Sequence, residues 1–311
     1  MLNYFFLIII GFILLIKGAD FLVDGASSLA KKFQISDIII GLTIVSIGTS
    51  MPELFVAITS NFHNASDISI GNVIGSNLCN LLLILGATAI IKDIKFKNNT
   101  KYIEIPFLIM TNITLFILVQ DGILSQKESC ILIFLFICFI IYTYLMAKNS
   151  PTPIQKVSTK EISILKSVFL IIIGIIALKY GGEFVVENAK KLAKLFNVSD
   201  KIIGCTIIAI GTSLPELITS IISALKGNTD LALGNIIGSN IFNILLILGT
   251  SSFVNTIYFN LSYNIEIIIL YATSLLLFIF PHLSPKNYMS KREGFIFLGT
   301  YITYILITIF H

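Results

Sequence analysis

Two glutamates, Glu53 and Glu216, stand in the same phrase at two places in the chain: "IGTSMPELF" at residues 47–55 and "IGTSLPELI" at 210–218. Each follows a Gly-Thr-Ser-x-Pro run, so a carboxylate is placed beside two hydroxyls and a helix-breaking proline. Proline has no N–H and clashes with the preceding turn, so Pro52 frees the carbonyl of Gly48 from its helical partner, and Pro215 does the same for Gly211. Residues 46, 49, 50 and 53 fall on one helical face by their spacing. A second pair of motifs, "GNVIGSNLCN" (71–80) and "GNIIGSNIFN" (234–243), spaces Asn72, Ser76 and Asn80 one turn apart, matched by Asn235, Ser239 and Asn243. Their glycines (Gly71, Gly75, Gly234, Gly238) read as a small-xxx-small packing face. Asn72, Asn77, Asn235 and Asn240 read as supporting hydrogen-bonders. Carboxylate, hydroxyl, amide and carbonyl oxygens together bind hard cations, Ca²⁺ or several Na⁺.

The elements that must hold these groups are apolar. Of 311 residues, 56% are hydrophobic and 12% charged, against roughly 25% charged in soluble domains. The expected fold class is all-α integral membrane, with ten transmembrane helices near residues 4–32, 38–62, 68–91, 102–119, 128–146, 163–189, 202–225, 231–254, 264–281 and 293–310. Both motif pairs therefore lie inside spans, where each carboxylate costs about 2.5–3.5 kcal/mol on insertion scales. The N-terminal run reads as a first span and not as a removed signal. Cys79, Cys130, Cys138 and Cys205 fall within spans and read as packing residues. His63, His282 and His311 lie at span ends or in loops, which leaves no Ser–His, Cys–His or HExxH constellation and no expectation of an enzyme.

The chain repeats itself at an interval of 163 residues: residues 41–90 and 204–253 share 25 of 50 positions without a gap, and Gly11, Gly18, Phe33 and Asp37 fall on Gly174, Gly181, Phe196 and Asp200. Five spans per copy is an odd number, so the copies are expected to be inverted. The expected domains are a first five-helix half (1–146), a cytoplasmic linker (147–162) and a second, inverted half (163–311). Lys and Arg concentrate in the loops after the odd-numbered spans, which places both termini outside and the linker in the cytoplasm. Lys17, Asp20 and Asp24 in span 1, and Lys179, Glu183 and Glu187 in span 6, read as charge pairs near the interface, with gating as the second reading.

The paired "GTSMPE…GNVIGSN" and "GTSLPE…GNIIGSN" motifs resemble the α-repeats of the Ca²⁺/cation antiporter superfamily, and look most like its prokaryotic Na⁺/Ca²⁺ exchangers. The resemblance implies that Glu53, Glu216, Thr49 and Thr212 bind Ca²⁺. It implies that Ser50, Ser76, Asn80, Ser213, Ser239 and Asn243 complete Na⁺ sites, with backbone carbonyls near Ser46 and Ala209. Asn at 243 resembles K⁺-independent members. Electrogenic alternating access, with spans 1 and 6 sliding across a rigid core, is the implied mechanism; a Ca²⁺/H⁺ antiporter is the alternative and a cation channel a rival of another class. The expected setting is the plasma membrane, with Ca²⁺, Na⁺ and lipid as partners, no nucleic acid and no cofactor, and a single copy suffices.

Overall fold

A computed structural model describes residues 2–149, 162–196, 209–283 and 287–310. Among them, seven helices are long and apolar enough to cross a membrane, or eight if one bent pair counts as a span. The first helix, α1 (Leu2–Phe33), is followed by the bent pair α2 (Asp37–Thr49) and α3 (Met51–Phe62), α4 (Ser66–Ile91), α5 (Thr100–Leu118) and α6 (Gln126–Asn149). Then come α7 (Ile164–Leu195), a single turn at Ala209–Gly211, α8 (Leu214–Leu225), α9 (Thr229–Val254), α10 (Asn264–Leu283) and α11 (Lys291–Phe310). Cys205, Asp200 and residues 202–208 of the expected seventh span lie outside the described residues.

The helix starts follow from local chemistry. Ser125 and Ser290 each precede a Glu by three residues, and the backbone N–H of each donates to that carboxylate (Glu128 Oε2 at 2.6 Å, Glu293 Oε2 at 2.8 Å), half of a capping box. The Asn228 side chain accepts from Leu231 N at 3.1 Å and caps α9. Helix α7 runs six residues beyond the expected boundary at 189, because "AKKLAKL" is made of helix formers whose lysines reach water at the span end.

Layering is set by burial. Of the best apolar window, 94% is buried in α9 and 72% in α4, against 17% in α6, so α4 and α9 form the centre and α6 faces outward. Around that centre pack α2, α3, α8 and the outer pairs α5–α10, α4–α11 and α6–α9. Helices α1 and α7 lie against each other antiparallel along their length: Gly11 meets Gly181, Gly18 meets Gly174, and Gly25 meets Ser167. A Cβ on Gly18 would lie 2.9 Å from Gly174 O, so these backbones touch and only glycine fits.

Two short antiparallel ladders tie loops together. Strand β1 (Ile94–Lys95) pairs with β4 (Tyr288–Met289), and β2 (Ile123–Leu124) with β3 (Ile257–Tyr258). Advancing β1 by the repeat interval lands on β3, so the ladders exchange when the halves exchange. Asn77 behaves likewise: its Nδ2 donates at 3.2 Å to the backbone oxygen of Asn240, its own copy in the other half.

Candidate cation site

The helix breaks occur where the prolines require them. Ser50 and Ser213 hold nearly the same non-helical backbone, φ −86°, ψ 7° and φ −87°, ψ 6°, and Pro52 and Pro215 open the helices that follow. The axes of α2 and α3 differ by 47° at this break. Each new helix has a glutamate in its first turn, where the positive end of the helix dipole favours a carboxylate. Glu53 and Glu216 are each 1% exposed.

The site knits the two halves together. Ser50 Oγ donates to Glu216 Oε1 at 2.8 Å. Ser76 Oγ lies 3.4 Å from both Glu53 Oε1 and Thr212 Oγ1. Thr49 Oγ1 donates to Asn235 Oδ1 at 3.1 Å, and Asn235 Nδ2 reaches Ser220 Oγ at 3.0 Å and Glu216 O at 3.5 Å. On the opposite side Asn72 Nδ2 approaches Glu53 O at 3.4 Å. Asn243 Nδ2 donates to Asn77 Oδ1 at 2.9 Å, so the expected ligand Asn243 is oriented by the expected supporter Asn77.

Several oxygens here lack any protein partner although they are buried: Glu53 Oε2, Glu216 Oε2, Asn80 Oδ1, Ser213 Oγ, Ser239 Oγ and Asn243 Oδ1. Buried polar groups left unsatisfied cost about 1–3 kcal/mol each, more when charged. Two carboxylate oxygens with four amide and hydroxyl oxygens beside them suit a cation that supplies the missing positive partner. Burial would not retain them otherwise.

Direct hydrogen bonds join Ser50 to Glu216 and Ser76 to Glu53 and Thr212, Thr49 is held through Asn235, and Asn80, Ser213, Ser239 and Asn243 supply buried oxygens without a protein partner. Ser46 O accepts Ser50 N at 3.0 Å and Thr49 Oγ1 at 3.4 Å, in the last turn before the break. Ala209 begins a helical turn, and its side chain lies outside the described residues. The packing face of the second half is real, with Gly234 on Gly41 and Gly238 on Ser46 and Leu42, whereas Gly71 faces the Tyr263 hydroxyl.

Two features were not anticipated. Wide π-type turns occupy Gly41–Val45, Cys79–Ile84 and Asn243–Leu248, the last two at or beside the expected ligands Asn80 and Asn243. One extra residue per turn re-aims the side chains that follow, a device common at functional sites. Hydrophobic periodicity carries no signal for it, since both faces of α4 and α9 are apolar there. The second is Asn235, whose three hydrogen bonds exceed those of its copy Asn72; the two motifs are identical at that position and gave no cue.

A buried all-oxygen site between two broken helices, in a polytopic helical membrane protein, is built for a hard cation. The sodium/calcium exchanger protein family matches residues 3–145 and 166–310. The chain belongs to that family, and it is a transporter, not an enzyme. It is 30% identical to the sodium/calcium exchanger MaX1 of Methanosarcina acetivorans over 97% of both chains. It is 37% identical to an uncharacterized membrane protein of Methanocaldococcus jannaschii over 94% of both. Among solved structures it superposes on the sodium-calcium exchanger NCX_Mj, soaked with Na⁺ and Ca²⁺, with TM-score 0.85 and 36% identity over 98% of both chains.

Proposed function

We propose that this chain exchanges Na⁺ for Ca²⁺ across the plasma membrane by alternating access, through one site shared by two inverted five-span halves, residues 1–146 and 163–311. The carrying observation is the pair of buried carboxylates, Glu53 and Glu216, each in the first turn after a proline break and ringed by unpartnered oxygens. Glu53, Glu216, Thr49 and Thr212 hold Ca²⁺; Ser50, Ser76, Asn80, Ser213, Ser239 and Asn243, with carbonyls near Ser46 and Ala209, complete sites for Na⁺. Antiparallel α1 and α7, the exchanging ladders and the Asn77–Asn240 contact support the inverted arrangement. The termini lie outside and residues 147–162 inside, on the distribution of Lys and Arg.

Two ionised glutamates give the site a charge of about −2, which one Ca²⁺ neutralises and three Na⁺ exceed by one, so exchange is electrogenic. Asn243 is neutral and supports exchange that needs no K⁺. The Ca²⁺/H⁺ alternative is not favoured, since the matching family and MaX1 are both named for sodium and calcium.

The test is radiolabelled Ca²⁺ uptake into Na⁺-loaded proteoliposomes diluted into Na⁺-free buffer at fixed pH, with Glu53→Gln and Glu216→Gln beside the parent. Uptake that requires internal Na⁺ and is lost in both variants supports the reading. Uptake driven by a pH gradient alone defeats it.

A further inference from the structure

The halves match in sequence but are not packed alike. Helix α1 lies against α8, whereas the equivalent approach of α7 to α3 is replaced by a cavity of about 240 Å³, lined by Phe55, Val56, Glu183, Val186, Glu187 and Thr212 among others. The cavity runs to Thr212 at the cation site, whereas on the other side α1 packs directly against α8.

A three-residue ion cluster holds that contact. Lys226, the residue that ends α8, places Nζ 3.0 Å from Asp20 Oδ1 and 2.7 Å from Asp24 Oδ1, both on α1. The repeat interval converts Asp20 to Glu183, Asp24 to Glu187 and Lys226 to His63. His63 ends α3 as Lys226 ends α8, with its ring edge-on to Phe62 at 5.7 Å. Among the described residues, Glu183 and Glu187 form ion pairs with lysines of their own helix, Lys179 at 3.9 Å and Lys191 at 4.0 Å, and all four are well exposed. Lys179 also lines this cavity; along the chain, Asp67 lies in the first turn of α4, four residues after His63, and Lys190 and Lys194 continue α7 beyond Glu187.

We propose that Lys226 with Asp20 and Asp24 latches one mouth, and that His63 with Glu183 and Glu187 is the latch of the other, closing only when the imidazole is protonated. The inference rests on the alternating-access reading above. Exchange of the halves carries α7 onto α3 as α1 now lies on α8, which brings His63 to the two glutamates and withdraws Lys226 from the two aspartates. A lysine keeps its charge at every physiological pH, whereas imidazole is the side chain whose charge responds to pH in that range. One latch is therefore constant and the other is set by the pH at its own face. Acid favours closure at His63.

The experiment measures a distance between spin labels at Thr59→Cys on α3 and Ala189→Cys on α7, in the full chain with its four native cysteines replaced by alanine. Below about pH 5.5 the short-distance population should exceed that at about pH 8 by roughly two- to fivefold, the weight of exposed ion pairs. His63→Gln should remove the pH response, and His63→Lys should hold the short population high at both values. Lys226→Ala should raise it at every pH. A pH response that survives His63→Gln, or a distribution unmoved by Lys226→Ala, overturns the proposal. Na⁺-driven Ca²⁺ uptake by the labelled parent separates the failures: a parent that exchanges but shows no pH-dependent distance sinks the latch alone, and one whose unlabelled native chain never exchanges sinks the function with it.

Discussion

At Asn235 one buried amide serves three groups: its oxygen accepts from Thr49, and its nitrogen reaches Ser220 Oγ and Glu216 O. Asn72, its copy, is half-buried and approaches only Glu53 O, at 3.4 Å. Asn235→Ala leaves Thr49 and Ser220 with lost partners inside the protein, at about 1–3 kcal/mol for the set. Thermal unfolding in detergent should show Asn235→Ala several degrees below Asn72→Ala; equal losses would refute the unequal roles. The expectation that Asn72, Asn77, Asn235 and Asn240 act as supporters was legible because amides inside apolar spans have little else to do. Their inequality was not, since identical motifs differ here only through how the halves meet. A second residue-scale outcome follows at Asn243, whose Nδ2 donates to Asn77 Oδ1. Asn243→Asp replaces that donor with an acceptor facing an acceptor and adds a third carboxylate. Melting should fall in cation-free buffer and recover on adding Na⁺ or Ca²⁺ more than the parent's does.

At the scale of elements, the α1–α7 pair depends on glycine because the two backbones touch. A Cβ on Gly174 would lie 2.8 Å from both Gly18 O and Leu22 N, neither of which can rotate away. Gly174→Val should therefore cost about 1–3 kcal/mol of overpacking and separate the helices. On α11, Gly299 has nothing within 4 Å, so Gly299→Ala should be neutral or stabilising by up to about 1 kcal/mol. Comparing the two melting curves checks it, and equal destabilisation would refute the contact argument, since helix propensity alone favours alanine at Gly299. The spans and their order were readable because apolar runs of helix length admit few alternatives. The π-type turns at Cys79–Ile84 and Asn243–Leu248 were not, because an extra residue per turn leaves no mark where every face is buried. Nor does periodicity reveal that the register of glycines along α1 and α7 runs in opposite senses.

At the scale of the whole molecule, what matters is the charge carried across the membrane in one cycle, and this sets the last prediction. The described residues near the cation site supply two carboxylates, Glu53 and Glu216, and otherwise neutral oxygens. Lys179 is the basic residue that lines the cavity leading to them. On the proposed exchange, with both glutamates ionised, the returning load decides the current. Three Na⁺ outward against one Ca²⁺ inward moves one positive charge out of the vesicle per cycle. Moving one charge against 100 mV is worth about 2.3 kcal/mol, which is roughly a fiftyfold change in the equilibrium Ca²⁺ ratio. In Na⁺-loaded proteoliposomes an interior-negative potential of that size should lower the final Ca²⁺ accumulation by about fiftyfold relative to zero potential, and an interior-positive one should raise it as much. The sign is diagnostic as well as the size. Exchange of two Na⁺ for one Ca²⁺ would leave accumulation indifferent to the potential, and a Ca²⁺ channel would respond in the opposite direction, with interior-negative vesicles filling more.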